Sequence, residues 1–280
     1  MRVFISVDIE GCTGIASFSQ CGRPDSAHFD WPFARRMLHH DVNAAIRGAR
    51  AAGATEIVLK DGHAHCRNLL VDLLEPGVKL ISGANAGFDG MMTGLDGSFD
   101  AAMLIGYHAM AGAHLGMMDH ALVGGLHRCW INGAEAGEIA ASAALAGAHG
   151  IPLVCVTSDY AGCVEATTTI HGVRTYSTKR GFGRYAGEMR PPEETGPGIE
   201  KATRRGVADQ KIIPPYRVSE PVTWRITFRT TNEADMASQL PASTRRDGYT
   251  IEFTRPDFIS SHRDAYTVFA LSIQGRKSES

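Results

Sequence analysis

The opening residues, Met1 to Gly11, read MRVFISVDIEG and constrain the rest of the chain more than any other stretch. Val3, Phe4, Ile5 and Val7 form a short apolar run rich in β-formers, the pattern of a buried strand. The run stops at Asp8-Ile9-Glu10, followed by Gly11. On an extended backbone, residues two apart project to the same side, so Asp8 and Glu10 aim their carboxylates into one small volume. Two carboxylates that close repel unless a proton or a cation lies between them. Alone, Glu10 would simply turn into solvent at a strand end. The reading changes because two later strands end in histidine.

A polar, Gly-containing loop is expected from there to about Asp30. Asp30 then has the character of an N-cap, with Pro32 in the first turn, for a helix running to Ala52 and closed by Gly53. Thr55–Lys60 (TEIVLK) is a second buried strand and runs into Asp61-Gly62-His63. Val78–Ile81 is a short third strand. Ala101–Ile105 (AAMLI) is a fourth and ends in Gly106-Tyr107-His108. Strand, helix, strand in this order implies a parallel pair with a crossover connection. Residues 109–119 form a Gly/Ala/Met-rich loop before His120, and Asn132-Gly133 signals a tight turn. AGEIAASAALAGAH from Ala136 is a small-residue helix with Glu138 in its first turn. Leu153–Thr157 is another apolar strand, Asp159 caps a short helix, and Gly172–Ser177 suggests a further strand.

Apolar periodicity fades between about Lys179 and Pro221, which reads as a surface excursion with one helix near Gly198–Val207. Alternating strands VTWRITF and YTIEFT follow, then an amphipathic helix from about Asp257 to Ile273 and a disordered GRKSES tail. The sequence therefore predicts an α/β fold: a mostly parallel sheet sandwiched by helices, with a smaller C-terminal α+β portion. Residues 1–178 would be the catalytic core. Residues 179–280 would hold the surface excursion and the α+β portion, completing the same unit.

A chain of 280 residues can bury a sizeable core, and its formal charge of -2 gives no reason to expect nucleic acid or an anionic membrane as partner. The strand at the very start and the lack of a long apolar run lead to the expectation of a cytoplasmic protein. The six cysteines contain no CxxC pair and read as reduced thiols, Cys12 and Cys66 included.

Three predicted parallel strands thus end in Asp8/Glu10, Asp61/His63 and His108. In open α/β sheets the ligand crevice lies beyond the carboxyl ends of the strands, so these residues would meet at one rim. One such histidine would be an ordinary capping residue; agreement among the strand ends points to a metal. Glu138 at a helix start has the bland role of complementing the helix dipole. Asp61 would either orient an imidazole or cap its own loop. His65 and His127 read as structural, and His114 as solvent-exposed.

The ordered motifs SVDIEG (Ser6–Gly11), KDGH (Lys60–His63), GYHA (Gly106–Ala109), MDH (Met118–His120) and NGxxxGE (Asn132–Glu138) resemble the M55 family of D-aminopeptidases. The resemblance is clear to about residue 178 and weaker to about residue 273. It implies a zinc peptidase with two Zn2+ per chain, held by Asp8, Glu10, His63, His108 and Glu138, with Asp8 bridging the ions. The family's remaining active-site histidine, described there as the nucleophile, falls on His120. The resemblance further implies hydrolysis of the N-terminal residue, a D-amino acid, from short peptides, and a ring-shaped homodecamer. Two alternatives stay open on the residues alone: another dinuclear hydrolase acting on a phosphoester or cyclic amide, or a non-catalytic binding protein that keeps structural zinc. For a phosphatase the rim motifs offer only Lys60 and Arg67 as cations. The mixed carboxylate–imidazole set exceeds the four ligands that close a structural zinc site.

Overall fold

The computed structural model describes residues 1–21, 30–84, 89–122 and 126–277. The middle of the loop expected before Asp30 (residues 22–29) and the final residues 278–280 lie outside the described residues. Strands β1 (Arg2–Val7), β2 (Glu56–Asp61), β3 (Lys79–Ile81) and β4 (Ala101–Ile105) match the first four apolar runs closely. Helix α1 (Trp31–Ala51) joins β1 to β2, with Pro32 in its first turn; Asp30 stands at its N-cap without a side-chain capping bond. Then come the hairpin β5 (Leu126–Ile131) and β6 (Ala134–Glu135), helix α2 (Glu138–Ala148), β7 (Leu153–Asp159) and α3 (Tyr160–Thr169). Asn132 and Gly133, both at positive φ, make the expected two-residue turn between β5 and β6. Asp159 caps α3 by accepting the Gly162 N–H. The chain continues through β8 (Arg174–Gly183), β9 (Ala186–Met189), α4 (Pro192–Ala208), β10 (Val222–Phe228), α5 (Thr231–Ala237), β11 (Ser243–Arg245), β12 (Thr250–Arg255) and α6 (Phe258–Lys277).

One sheet runs β3-β2-β1-β4-β7-β8-β9, parallel except for β9 at its edge; the other runs β11-β12-β10-β5-β6 and is antiparallel. Side chains alternate along β1, so its two faces feed two cores. Val3, Ile5 and Val7 pack with Leu38, Val42 and Ile46 of α1 and Ile199 of α4. Phe4 faces the other way, into a core shared by α2, Trp224 and Ile226 of β10 and Phe269 of α6. Helix α2 lies in that middle layer and is buried from Glu138 to Gly147. Its composition of Ala, Ser and Gly suits a helix closely covered on every side. No helix of the described residues is long and apolar enough to cross a membrane.

The region 179–221 differs from expectation. β8 carries on through Lys179 to Gly183, and the β8–β9 hairpin finishes the main sheet. The apolar pattern is missing because the buried positions are Thr178 and Lys179, whose polar heads bind main-chain carbonyls instead of packing on apolar side chains. Helix α4 begins at Pro192, ahead of Gly196, Pro197 and Gly198. Gly198 lies against Tyr176, where a Cβ would stand 2.0 Å from the ring, and Gly196 lies close to His40. The antiparallel sheet is completed by β5 and β6, which come from before residue 178. Helix α6 runs to Lys277, through the first residues of the tail expected to be disordered.

Candidate metal centre

β1, β2 and β4 end in step, with Val7 opposite both Asp61 and Ile105. The backbone preserves that alignment beyond the strands. The Asp8 N–H donates to Ile105 O, the Gly62 N–H to Val7 O and the Gly11 N–H to Gly106 O, each at 2.8 Å. The fold-back is tightest at two glycines. A Cβ on Gly11 would stand 1.7 Å from Tyr107 O; Gly106 is at φ +75°, where a Cβ would stand 2.3 Å from Asp8 O. Only glycine fits both demands. These glycines let the ends of β1 and β4 meet, bringing Asp8 and Glu10 beside His108. Glu138 enters from the first residue of α2.

Asp8, Glu10, His63, His108 and Glu138 are all buried. His63 Nδ1 lies 3.1 Å from Asp8 Oδ1 and 3.0 Å from Glu10 Oε2. On the other side, His108 Nε2 lies 3.6 Å from Asp8 Oδ2 and 3.3 Å from Glu138 Oε1. His120 Nε2 is 4.0 Å from the same Glu138 oxygen, and its ring stacks on His108 at 3.9 Å between centroids.

The second nitrogen of each ring meets a carbonyl. His63 Nε2 donates to Cys21 O at 2.6 Å, His108 Nδ1 to Ala109 O at 2.9 Å and His120 Nδ1 to Met118 O at 2.8 Å. A carbonyl can only accept, so the nitrogens facing the carboxylates carry lone pairs in the neutral rings. This is how a protein orients metal-binding imidazoles.

Such a cluster strains its own ionisation. Burial and the neighbouring Glu10 push the Asp8 carboxyl up to about 7. Burial would raise Glu10 as well, but His63, His120 and His108 outweigh it and hold Glu10 well below its usual range. Burial opposes charge on His108, and Glu138 with Asp8 more than reverses that. His120 is drawn down by burial and by His108.

The residues fit a metal. Asp8 Oδ2, Glu10 Oε2 and His108 Nε2 are buried and make no hydrogen bond. Buried polar atoms are almost always paired, so three orphans converging in one place call for a cation. Ligand-type atoms of Asp8, Glu10 and His108, and of His108, His120 and Glu138, lie within 4.8 Å of one another. Mixed carboxylate and imidazole donors suit zinc.

Other expectations resolve differently. Asp61 caps its loop: it accepts the Asn68 and Leu69 N–H groups at 2.5 and 2.8 Å and the Asn68 side-chain amide at 2.7 Å. Cys12, its thiol pushed up by burial, donates to Asp8 O at 3.4 Å and packs in the core beneath the turn. Cys21, read with the other cysteines as a plain reduced thiol, comes within 4.8 Å of Glu10 and His63; it sits in a loop with no spacing pattern to flag it. His114 and His127 are exposed, but His65 lines the cavity beside the centre. The loop 109–119 is tied down. Met110 N–H donates to Glu165 at 2.7 Å, Met117 N–H to Asp159 at 2.9 Å and Met118 N–H to Arg184 O at 2.8 Å. Glu165 and Asp159 gave no sequence signal for this anchoring, because their partners are backbone groups far along the chain. The cavity itself, about 490 Å³, runs from Asp8, His63, His120 and Glu138 to Lys60 and α6.

A buried carboxylate–imidazole cluster opening on a cavity, at the carboxyl ends of parallel strands, defines a metal-dependent hydrolase. The chain belongs to the M55 peptidase family, whose model, described as D-aminopeptidase, matches residues 1–266. It is 27% identical over 275 residues to a D-aminopeptidase of Bacillus subtilis (strain 168), covering 98% of each chain. Its fold is similar to that of the Zn-dependent D-aminopeptidase DppA from Bacillus subtilis, described as a self-compartmentalizing protease. That match has a TM-score of 0.92 at 27% identity and covers 98% of both chains. The family expected from the five motifs is the family found, and the match extends through the antiparallel sheet.

Proposed function

We propose that the protein is a zinc-dependent aminopeptidase that removes the N-terminal residue, a D-amino acid, from short peptides. The observation that carries this reading is the convergence of three orphaned buried atoms on Asp8, Glu10 and His108, inside a family of D-aminopeptidases. Two Zn2+ per chain are proposed. Asp8, Glu10 and His63 would hold one, and Asp8, His108 and Glu138 the other. The bridging role is supported by Asp8 itself, whose two oxygens face different imidazoles.

Zinc in such a centre polarises a carbonyl and brings the pKa of water toward neutrality. The remaining work falls to this chain. Neutral His120, with Nδ1–H engaged by Met118 O, offers Nε2 as the general base that takes a proton from the attacking water. The same nitrogen then returns the proton to the leaving amine. Phe18 meets the His120 ring edge-on at 5.2 Å and helps hold its plane.

The relative's description as self-compartmentalizing, together with exposed Phe182 and Tyr185 at the β8–β9 turn and Leu115 nearby, supports a homo-oligomer, which we propose to be a ring-shaped decamer in the cytoplasm. Light scattering tests the assembly. A hydrolysis panel of D- and L-dipeptides with free and blocked N-termini, with and without chelator, tests the activity. Chelator-sensitive cleavage of free D-dipeptides is expected; cleavage only of model phosphoesters would overturn the reading.

A further inference from the structure

Two lysines of this chain are buried almost completely, and they are treated differently. The Lys179 ammonium donates to the carbonyls of Glu10, Cys12 and Ile15, one acceptor for each of its three protons. Lys60, 2% exposed, donates to Gly83 O at a long 3.3 Å, and its other polar neighbour is the Cys66 thiol. No carboxylate pairs with it among the described residues; Asp61, next in sequence, is fully engaged by Asn68 and Leu69. A buried ammonium this poorly matched is costly unless something else completes it.

Lys60 lines the same cavity as Asp8, His63, His120 and Glu138. A second cation, Arg276 of α6, lines it too. Glu233 accepts from Arg276 Nε at 2.9 Å, while Nη2 is buried without a hydrogen-bond partner. Apolar side chains, Phe269 and Ile273 of α6 among them, line it as well. The cavity is thus lined by metal-ligating carboxylates and imidazoles and also by two cationic side chains that the centre does not use. Its volume is near the lower part of the ~300–1,000 Å³ range of small-molecule sites, enough for about two or three residues.

We propose that Lys60, assisted by Arg276, binds the C-terminal carboxylate of the substrate, making the protein selective for very short peptides with a free carboxyl terminus. This rests on the aminopeptidase reading and names its substrate class more narrowly. The carboxylate supplies the acceptors that Lys60 lacks, through charge-assisted hydrogen bonds in a site partly shielded from water. The anchor is remote from the scissile bond and is made equally in ground and transition states. It therefore acts on KM more than on kcat.

The test compares D-alanyl-D-alanine with its C-terminal amide on the zinc-loaded wild type, Lys60→Met and Lys60→Arg. The wild type should favour the acid about 10- to 100-fold in kcat/KM, the scale of a hydrogen bond to a charged group. Most of that preference should lie in KM. Lys60→Met should bring the acid-to-amide ratio close to one, and Lys60→Arg should restore part of it. A wild type that cleaves both substrates equally well overturns the anchor alone, whatever the variants do. So does a Lys60→Met enzyme that keeps the preference. Cleavage of neither substrate by the wild type overturns the aminopeptidase reading, and the anchor with it.

Discussion

Two buried polar regions meet at the loop that follows β1. On one side of Glu10, the side chains of Asp8, Glu10, His63, His108 and Glu138 face one another and leave three atoms without a hydrogen bond. On the other side, Lys179 donates to three carbonyls of that loop, and the Thr178 hydroxyl donates to Gly11 O at 2.6 Å. Buried Asp41 accepts the Thr13 N–H at 2.8 Å and its hydroxyl at 2.7 Å. Burial and chain segment are the same for both, so neither separates them. The difference is whether the protein supplies the partners itself. Where it does, the polar groups fix a shape; where several fall short together, the shape awaits a ligand.

The largest effect is expected from Asp8→Ala, which removes the carboxylate whose two oxygens face His63 and His108. Both zinc ions should be lost and hydrolysis abolished. Glu138→Ala touches only the His108 side and should retain about one metal per chain. Metal content measured after dialysis gives the result, and equal loss in the two variants would break the bridge.

Next comes His120→Ala. His120 stands at 4.0 Å from Glu138, farther than any other imidazole in the cluster, and it follows an anchored loop rather than a strand end. Turnover should fall by about 10²–10⁴-fold, as for loss of a general base. Metal content and melting temperature should stay near wild type. Near-normal hydrolysis would remove His120 from the chemistry and leave it a stacking partner of His108.

The strand ends were legible in the sequence because burial on both faces writes itself as continuous apolar runs, and β4 was read to the residue. So were Asp8, Glu10, His63 and His108, since their strands end in step. Glu138 became a firm candidate only through the family motif, because nothing local distinguishes an inward glutamate at a helix start from a dipole-complementing one. The satisfied region stayed hidden for a physical reason. Thr178 and Lys179 are buried in β8 but polar, and their partners are carbonyls some 165 residues earlier, such as Cys12 O for Lys179. Hydropathy records burial only when the buried group is apolar. Lys60 was legible as a rim cation, but its burial was not, since it closes the apolar-looking run TEIVLK.

Lys179→Met turns the satisfied region into a deficient one. Three loop carbonyls lose their donor, each at a cost of about 1–3 kcal/mol when left buried and unpaired. Burial already draws the Lys179 pKa down, so relief of that desolvation returns part of the loss. A net destabilisation of several kcal/mol in denaturant unfolding is expected. Because Glu10 O is one of the carbonyls, zinc affinity should weaken on the Glu10–His63 side before the His108 side. Unchanged stability would mean that the loop keeps its shape without the clamp.

The smallest effect sharpens the comparison from outside both regions. His262 of α6 is also buried, and its Nδ1 also lacks a hydrogen bond, but its ring sits among Phe258 and Tyr266, with no carboxylate cluster around it. A single orphan of this kind marks an imidazole kept neutral, not a ligand site. Burial lowers its pKa to about 4, with Asp89 opposing and Arg263 reinforcing the shift. The unfolded chain binds this proton near the ordinary value of about 6.5. Between those limits the unfolded state therefore holds more protons than the folded one. The stability associated with neutral His262 is complete above pH 6.5 and declines as pH falls toward 4, by on the order of 3 kcal/mol at the lower end. Zinc release at acid pH overlaps this window, so the informative quantity is the difference between wild type and His262→Leu, both zinc-free. The variant should lose less stability than wild type from pH 6.5 to 4. Parallel curves would show that His262 binds its proton alike in the folded and unfolded chain, and would end this reading of its burial.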